Sequence, residues 1–324
     1  MPASTTYTWT VGTDGNVDGE SSQSEPQSLI SDTLVNNTNV PDTVVYTVIA
    51  NGGCGRDTFL VKVRVSAKPR MRDTLITICS DSSFKYTPIN NAPNQIVPTG
   101  TTYTWTATTN GNVDGESSQS VPKLLISDTL VNNTNVPDTV AYTVIANGGC
   151  GRDTFIVRVQ VEAKPRMRDT TITVCTGSTF TVSPPNTAPS QLVPPNTTYA
   201  WSILTIHSSL TGGSSGSGTT VTGTLYNATD TMRTAVYTVV ANGGCGRDTF
   251  LLTVHVNPAP RVTFIPSTDT VCSGDSSRLI RIQSPTPGVS IPWNSINPLP
   301  AGLTGALTSG TDSICLLYTS DAAD

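Results

Sequence analysis

Histidine occurs only twice, aromatic residues make up 6% and charged residues 13% of the 324 positions, and no run of about 18 apolar residues is present. Each scarcity excludes something. So few charges cannot lace the exposed faces of long helices, and the net charge of -5 is spread without a basic or acidic block, so no electrostatic footprint for nucleic acid or an anionic membrane exists. The absent apolar run removes insertion of a helix into a bilayer. The opening Met1-Pro2-Ala3-Ser4 lacks the charged and apolar regions of a signal peptide. His207 and His255 sit in unrelated contexts, so no histidine-based triad is built into the chain, and the expectation is that it is not an enzyme.

Thr, Ser, Asn, Gly and Pro dominate instead, a composition that predicts an all-β protein. Internal repetition is strong. Thr5-Thr6-Tyr7-Thr8-Trp9 returns at Thr101 to Trp105 with a period of 96 residues, and again at Thr197 to Trp201; Asn51-Gly52-Gly53-Cys54-Gly55-Arg56 returns from Asn147 and Asn242. Residues 5–70 and 101–166 differ at only 11 of 66 positions, the mark of recent duplication or continued recombination. A period this long is a whole β-sandwich of roughly 100 residues and not a solenoid turn. With Pro at the junctions Ala67-Lys68-Pro69, Ala163-Lys164-Pro165 and Asn257-Pro258, the layout is a partial repeat at 1–66, complete repeats at 67–162 and 163–257, and a partial, diverged one at 258–314. Met1-Pro2 aligns with Val97-Pro98, as an internal codon read as a start would, and residues 315–324 resemble a translated sequencing adaptor.

Alternation of period two marks the strands. Phe155, Val157, Val159 and Val161 share one face of the last strand in the second repeat, and Asn147-Gly148-Gly149 supplies the hairpin before it. Leu124 to Val131, Thr101 to Ala107, Thr74 to Ile78 and Ser83 to Thr87 complete the set. With Cys315 set aside, six cysteines alternate regularly, which suits disulfides in an oxidising compartment. Pairing within repeats gives Cys79–Cys150 and Cys175–Cys245; sequential pairing gives Cys54–Cys79, Cys150–Cys175 and Cys245–Cys272. The first is favoured because the strand after Cys54 leads away from it. Zinc is disfavoured, since there is no Cys-x-x-Cys.

Three local patterns bear on binding. Asp14, Asn16, Asp18 and Glu25 have the spacing of an EF-hand calcium loop, but the second repeat has Val121 where the first has Glu25, so a polar connecting loop without cofactor is the preferred reading. Trp9, Trp105 and Trp201, with the tyrosines two residues before them, are either core residues of a sandwich or a platform for sugars; their place in a strand favours the core. Asp-Thr-apolar triplets such as Asp73-Thr74-Leu75 and Asp128-Thr129-Leu130 resemble O-glycosylation acceptors, against the plainer reading of strand edges.

One set of spaced positions goes further. Ile78-Cys79, Phe84, Val97-Pro98 with Gly100-Thr101-Thr102-Tyr103-Thr104-Trp105, Leu130-x-Asn132-x-Thr134, Tyr142-Thr143-Val144, Gly149-Cys150-Gly151 and Phe155 resemble the PKD-like repeats of Bacteroidota surface proteins, over about residues 1–310. The resemblance implies tandem immunoglobulin-like sandwiches, an extracellular or cell-surface location, and no carried-over catalytic residues. The expected role is a non-catalytic spacer or stalk of an adhesin-like protein; the alternative is a carbohydrate-binding accessory module of a secreted glycan-degrading enzyme. Expected partners are neighbouring repeats, with surface glycans or other surface proteins beyond them.

Overall fold

The computed structural model describes residues 5–12, 15–270, 272, 278–294, 309–311 and 313–314; Asp14 and the adaptor-like stretch 315–324 lie outside the described residues. All regular structure among the described residues is β. The first repeat supplies β1 (Thr6–Val11), β2 (Val17–Asp18), β3 (Gln23–Gln27), β4 (Val35–Asn36), β5 (Asp42–Gly52) and β6 (Gly55–Val65). The second supplies β7 (Thr74–Cys79), β8 (Ser82–Tyr86), β9 (Thr102–Ala107), β10 (Val113–Asp114), β11 (Gln119–Lys123), β12 (Ile126–Asn132), β13 (Asp138–Gly148) and β14 (Gly151–Glu162). The third follows with β15 (Thr170–Cys175), β16 (Thr179–Val182), β17 (Thr198–Ile206), β18 (Leu210–Gly212), β19 (Gly216–Gly218), β20 (Val221–Asn227), β21 (Arg233–Gly243) and β22 (Gly246–Asn257).

Within the second repeat a five-stranded sheet, β11-β9-β13-β14-β7, faces a three-stranded sheet, β10-β12-β8. The alternation read from β14 is realised: Phe155 is 3% exposed and Val157, Val159 and Val161 are fully buried, beside Val140, Tyr142 and Val144 of β13. Phe84, Ile126 and Leu130 close the core from the opposite sheet. Each such side chain is worth about 1.5–3 kcal/mol when withdrawn from water. The β13–β14 hairpin turns through Gly149, whose φ of 54° lies in the left-handed region.

The two early strands do not pair with each other. β7 runs parallel to β14, with Cys79 opposite Glu162, whereas β8 pairs antiparallel with β12 in the other sheet. The chain crosses between layers at Ser80-Asp81, where Asp81 has φ 64° and its N–H reaches the Leu130 carbonyl at 2.9 Å. The third repeat repeats this plan as β15-β22-β21-β17-β19 against β16-β20-β18. Among the described residues of 1–66 there is no counterpart of β7 and β8, and β6 stays open: Phe59 is 41% exposed where Phe155 is 3%.

Two compact units account for the chain. One comprises Met1–Lys164 with Asn186–Pro195 and Gly244–Gly246; the other comprises Pro165–Pro185, Asn196–Gly243 and the remainder from Arg247. After the third repeat, β23 (Thr263–Ile265), β24 (Ile280–Gln283) and β27 (Ser313–Ile314) form one small sheet, and β25 (Pro292–Asn294) and β26 (Ser309–Thr311) another.

Candidate functional site

The tryptophans lie inside. Trp9, Trp105 and Trp201 are 5%, 6% and 8% exposed, and Tyr103 and Tyr199 are buried beside Phe155 and Phe250 in edge-on contacts. The Trp9 and Trp105 indoles donate to the carbonyls of Ser21 and Ser117 at 2.8 and 2.9 Å. Over Trp201 lies Gly216, where an added Cβ would stand 2.5 Å from the ring. A ring enclosed in this way offers no open face on which a sugar can stack.

Buried polar groups serve as pins between strands. Asn132, fully buried at the end of β12, donates from Nδ2 to the carbonyls of Val136 and Val161, both at 2.8 Å, and accepts at Oδ1 from the N–H and hydroxyl of Thr134. All four hydrogen-bonding positions of the amide are thereby used. Asn36 and Asn227 make the same bonds in their repeats. The Asn-x-Thr spacing visible in the sequence is thus a strand lock. A second pin joins the Tyr142 hydroxyl to the Asp128 carboxylate at 2.9 Å, and Tyr46 to Asp32 at 2.7 Å. Burial, then the Asp128 charge, holds the Tyr142 phenol protonated well above its ordinary range. Burial opposes ionisation of Asp32, yet hydrogen bonds from Ser21 and Tyr46 outweigh it and keep this carboxyl below its usual value.

Asn16 donates to the Asp42 carboxylate at 2.9 Å, Asp18 lies on β2 and accepts from Asn37 at 2.6 Å, and Glu25 is exposed on β3. No group of three or more His, Cys, Asp or Glu side chains suited to a metal ion occurs among the described residues. His207 accepts from the Ser209 N–H, and His255 shares a hydrogen bond with Thr234. Of the Asp-Thr-apolar triplets, Thr129 is exposed on β12, whereas the Thr74 hydroxyl is bound to Tyr86 at 3.0 Å.

The cysteines are placed otherwise than pairing within repeats requires. Cys79 ends β7 opposite the last residue of β14, and Cys150 precedes the first residue of that same strand, which runs through 12 residues. At about 3.3 Å per residue, roughly 40 Å separates them, far beyond the reach of a disulfide. Residue order carries no sign of this, because alternation identifies the faces of a strand but not its partner or direction. Cys54, at the exposed tip of the β5–β6 hairpin, is likewise a strand's length from Ser66, on whose carbonyl the Cys150 thiol rests at 3.4 Å.

The feature with most bearing on function is how the hairpin tips of the second and third repeats each grip a linker. The Cys150 N–H donates to the Ala67 carbonyl at 3.1 Å, Arg70 and Ile96 exchange backbone hydrogen bonds at 3.0 and 2.8 Å, and the Met71 N–H reaches the Asp153 carboxylate at 2.5 Å. Ala67 is 2% and Met71 9% exposed. Contact is so close that a Cβ on Gly149 would lie 1.9 Å from the Ala67 oxygen. The arrangement recurs one repeat later: Cys245 donates to Ala163 at 3.1 Å, and a Cβ on Gly244 would lie 2.0 Å from the Ala163 oxygen. Pro69 and Pro165 thus stand in linkers held by hydrogen bonds on either side of them.

Among solved structures, an I-band fragment of titin is similar at 13% identity over 79% of this chain and 89% of that one, with a TM-score of 0.34. Mouse clustered PcdhgC3 is similar at 12% identity over 70% and 83% of the two chains, with a TM-score of 0.30. No curated protein sequence matches the chain. The PKD-like domain family matches residues 2–69, 76–165 and 172–260. Those three stretches span most of the sequence and carry the sandwiches, the buried tryptophans and the asparagine pins, and the chain belongs to the PKD-like domain family.

Proposed function

We propose that this chain is a non-catalytic spacer, the stalk region of an extracellular surface or secreted adhesin-like protein, which holds other parts of that protein at a set distance. The observation that carries the reading is the gripped linker: Ala67 to Met71 is bound by backbone and carboxylate hydrogen bonds to the repeat that follows it. A flexible tether leaves its backbone to water, and a spacer does not. Domains of this family are typically non-catalytic, and tandem repeats of this kind are typical of extracellular adhesion-type or spacer regions. The repeated aromatics Tyr103, Trp105, Tyr199 and Trp201, which would have formed a sugar platform, lie in the cores. Among the described residues no helix is long and apolar enough to cross a membrane.

The test is deletion of residues 67–162 from the surface-displayed chain, with a fluorescent tag at its outer end. Tag height should fall on deletion, and a glycan array should show no ligand before or after. A glycan ligand whose binding disappears with the deletion would favour the carbohydrate-binding alternative.

A further inference from the structure

The cysteines that sequence alone could not pair do meet, in a combination that neither pairing rule contains. Cys79 closes β7 beside Glu162, the last residue of β14. Immediately after it, Ala163 receives the N–H of Cys245, which lies at the tip of the β21–β22 hairpin. Both residues fall within the first compact unit. The Cys79 thiol donates to the Cys245 carbonyl at 3.2 Å, across 166 residues of sequence, and the Cys245 thiol lies 3.7 Å from the Glu162 carbonyl. Both side chains are partly buried, whereas Cys54, Cys150 and Cys175 are exposed. Burial, reinforced by the neighbouring Cys79 thiol, pushes Cys245 up to about 11.

The seat has a second copy. Cys150 rests on the Ser66 and Ala67 carbonyls as Cys245 rests on Glu162 and Ala163, but residues 1–66 contain no equivalent of Cys79, since Cys54 is their only cysteine. Where both members are present, they converge. We propose that Cys79 and Cys245 form a disulfide that joins the end of β7 to the tip of the following repeat's hairpin and locks the gripped Ala163–Lys164 linker covalently. This goes beyond the spacer reading and holds or fails independently of it.

The oxidant is a disulfide, either low-molecular-weight or that of a thiol oxidoreductase. The Cys79 thiolate attacks one of its sulfurs, the S–S bond breaks and one thiol leaves. The Cys245 thiolate then attacks the Cys79 sulfur of the mixed disulfide and expels the second thiol. Two protein thiols lose two electrons and two protons, and the oxidant gains both as two thiols. The raised Cys245 thiol makes the second step faster as pH rises.

The experiment equilibrates the purified full chain with oxidised and reduced glutathione at pH 8, blocks residual thiols with a maleimide, and maps tryptic peptides without reduction. A species joining peptide 73–85 to peptide 234–247 is expected, and it should vanish in Cys79→Ser and persist in Cys150→Ser. A predominant Cys79–Cys150 or Cys150–Cys175 linkage overturns the proposal. So does recovery of Cys79 and Cys245 as alkylated thiols while the unreacted chain keeps its native circular dichroism.

Discussion

Replacing Asn132 with alanine should destabilise the second repeat by about 3–5 kcal/mol, because each buried polar group left without a partner costs about 1–3 kcal/mol. The side chain is fully buried, and its amide is the donor to the Val161 carbonyl, which lies in the core strand β14. Alanine removes that donor together with the one to Val136 and the acceptor for Thr134. Asparagine to aspartate should be no better, since it turns an acceptor toward two carbonyls. The neighbouring Asn133 is the control: its amide bonds Asp114 at an exposed position, and its alanine variant should fall within about 0.5 kcal/mol of the parent. Urea denaturation of residues 67–162, followed by Trp105 fluorescence, gives both values. A loss below about 1 kcal/mol for Asn132→Ala would mean that the pin carries no weight.

Gly149→Ala should cost about 3 kcal/mol and act on the linker more than on the core. Part of the cost is the left-handed φ of 54°, which a residue with a Cβ adopts at about 1 kcal/mol or more. The rest is collision: the new Cβ would stand 1.9 Å from the Ala67 oxygen, and backbone on both sides must part. The hairpin tip then lifts, and the Cys150 to Ala67 hydrogen bond is lost with it. Gly53 occupies the same place in the first repeat's sequence, yet it has no left-handed φ and a Cβ there meets nothing within 4 Å. Gly53→Ala should therefore cost far less, and equal losses at the two positions would contradict this account.

Much of this architecture was legible from residue order. The alternation of Phe155, Val157, Val159 and Val161 gave the buried face, the Asn-Gly-Gly gave the hairpins, and the Tyr-x-Trp strands gave the aromatic core, because each depends on neighbours one or two positions away. What could not be read is long-range pairing. Nothing in β7 says that it lies parallel to β14, and that single choice sends Cys79 to the end of the sandwich remote from Cys150. Spacing likewise does not oblige a backbone to curl: the Asn16 and Asp18 side chains bond Asp42 and Asn37. The linkers were marked by proline but not by their bonds, whose partners lie dozens of residues further on.

Hydrogen exchange at the linkers tests the central claim most directly. In the intact chain, the amides of Arg70, Met71, Ile96, Cys150 and Cys245 should exchange about 100-fold or more slowly than in unstructured peptide, as strand amides do. Exchange of these amides at peptide rates, while β13 and β14 remain protected, would show independent domains on loose tethers and contradict the spacer account.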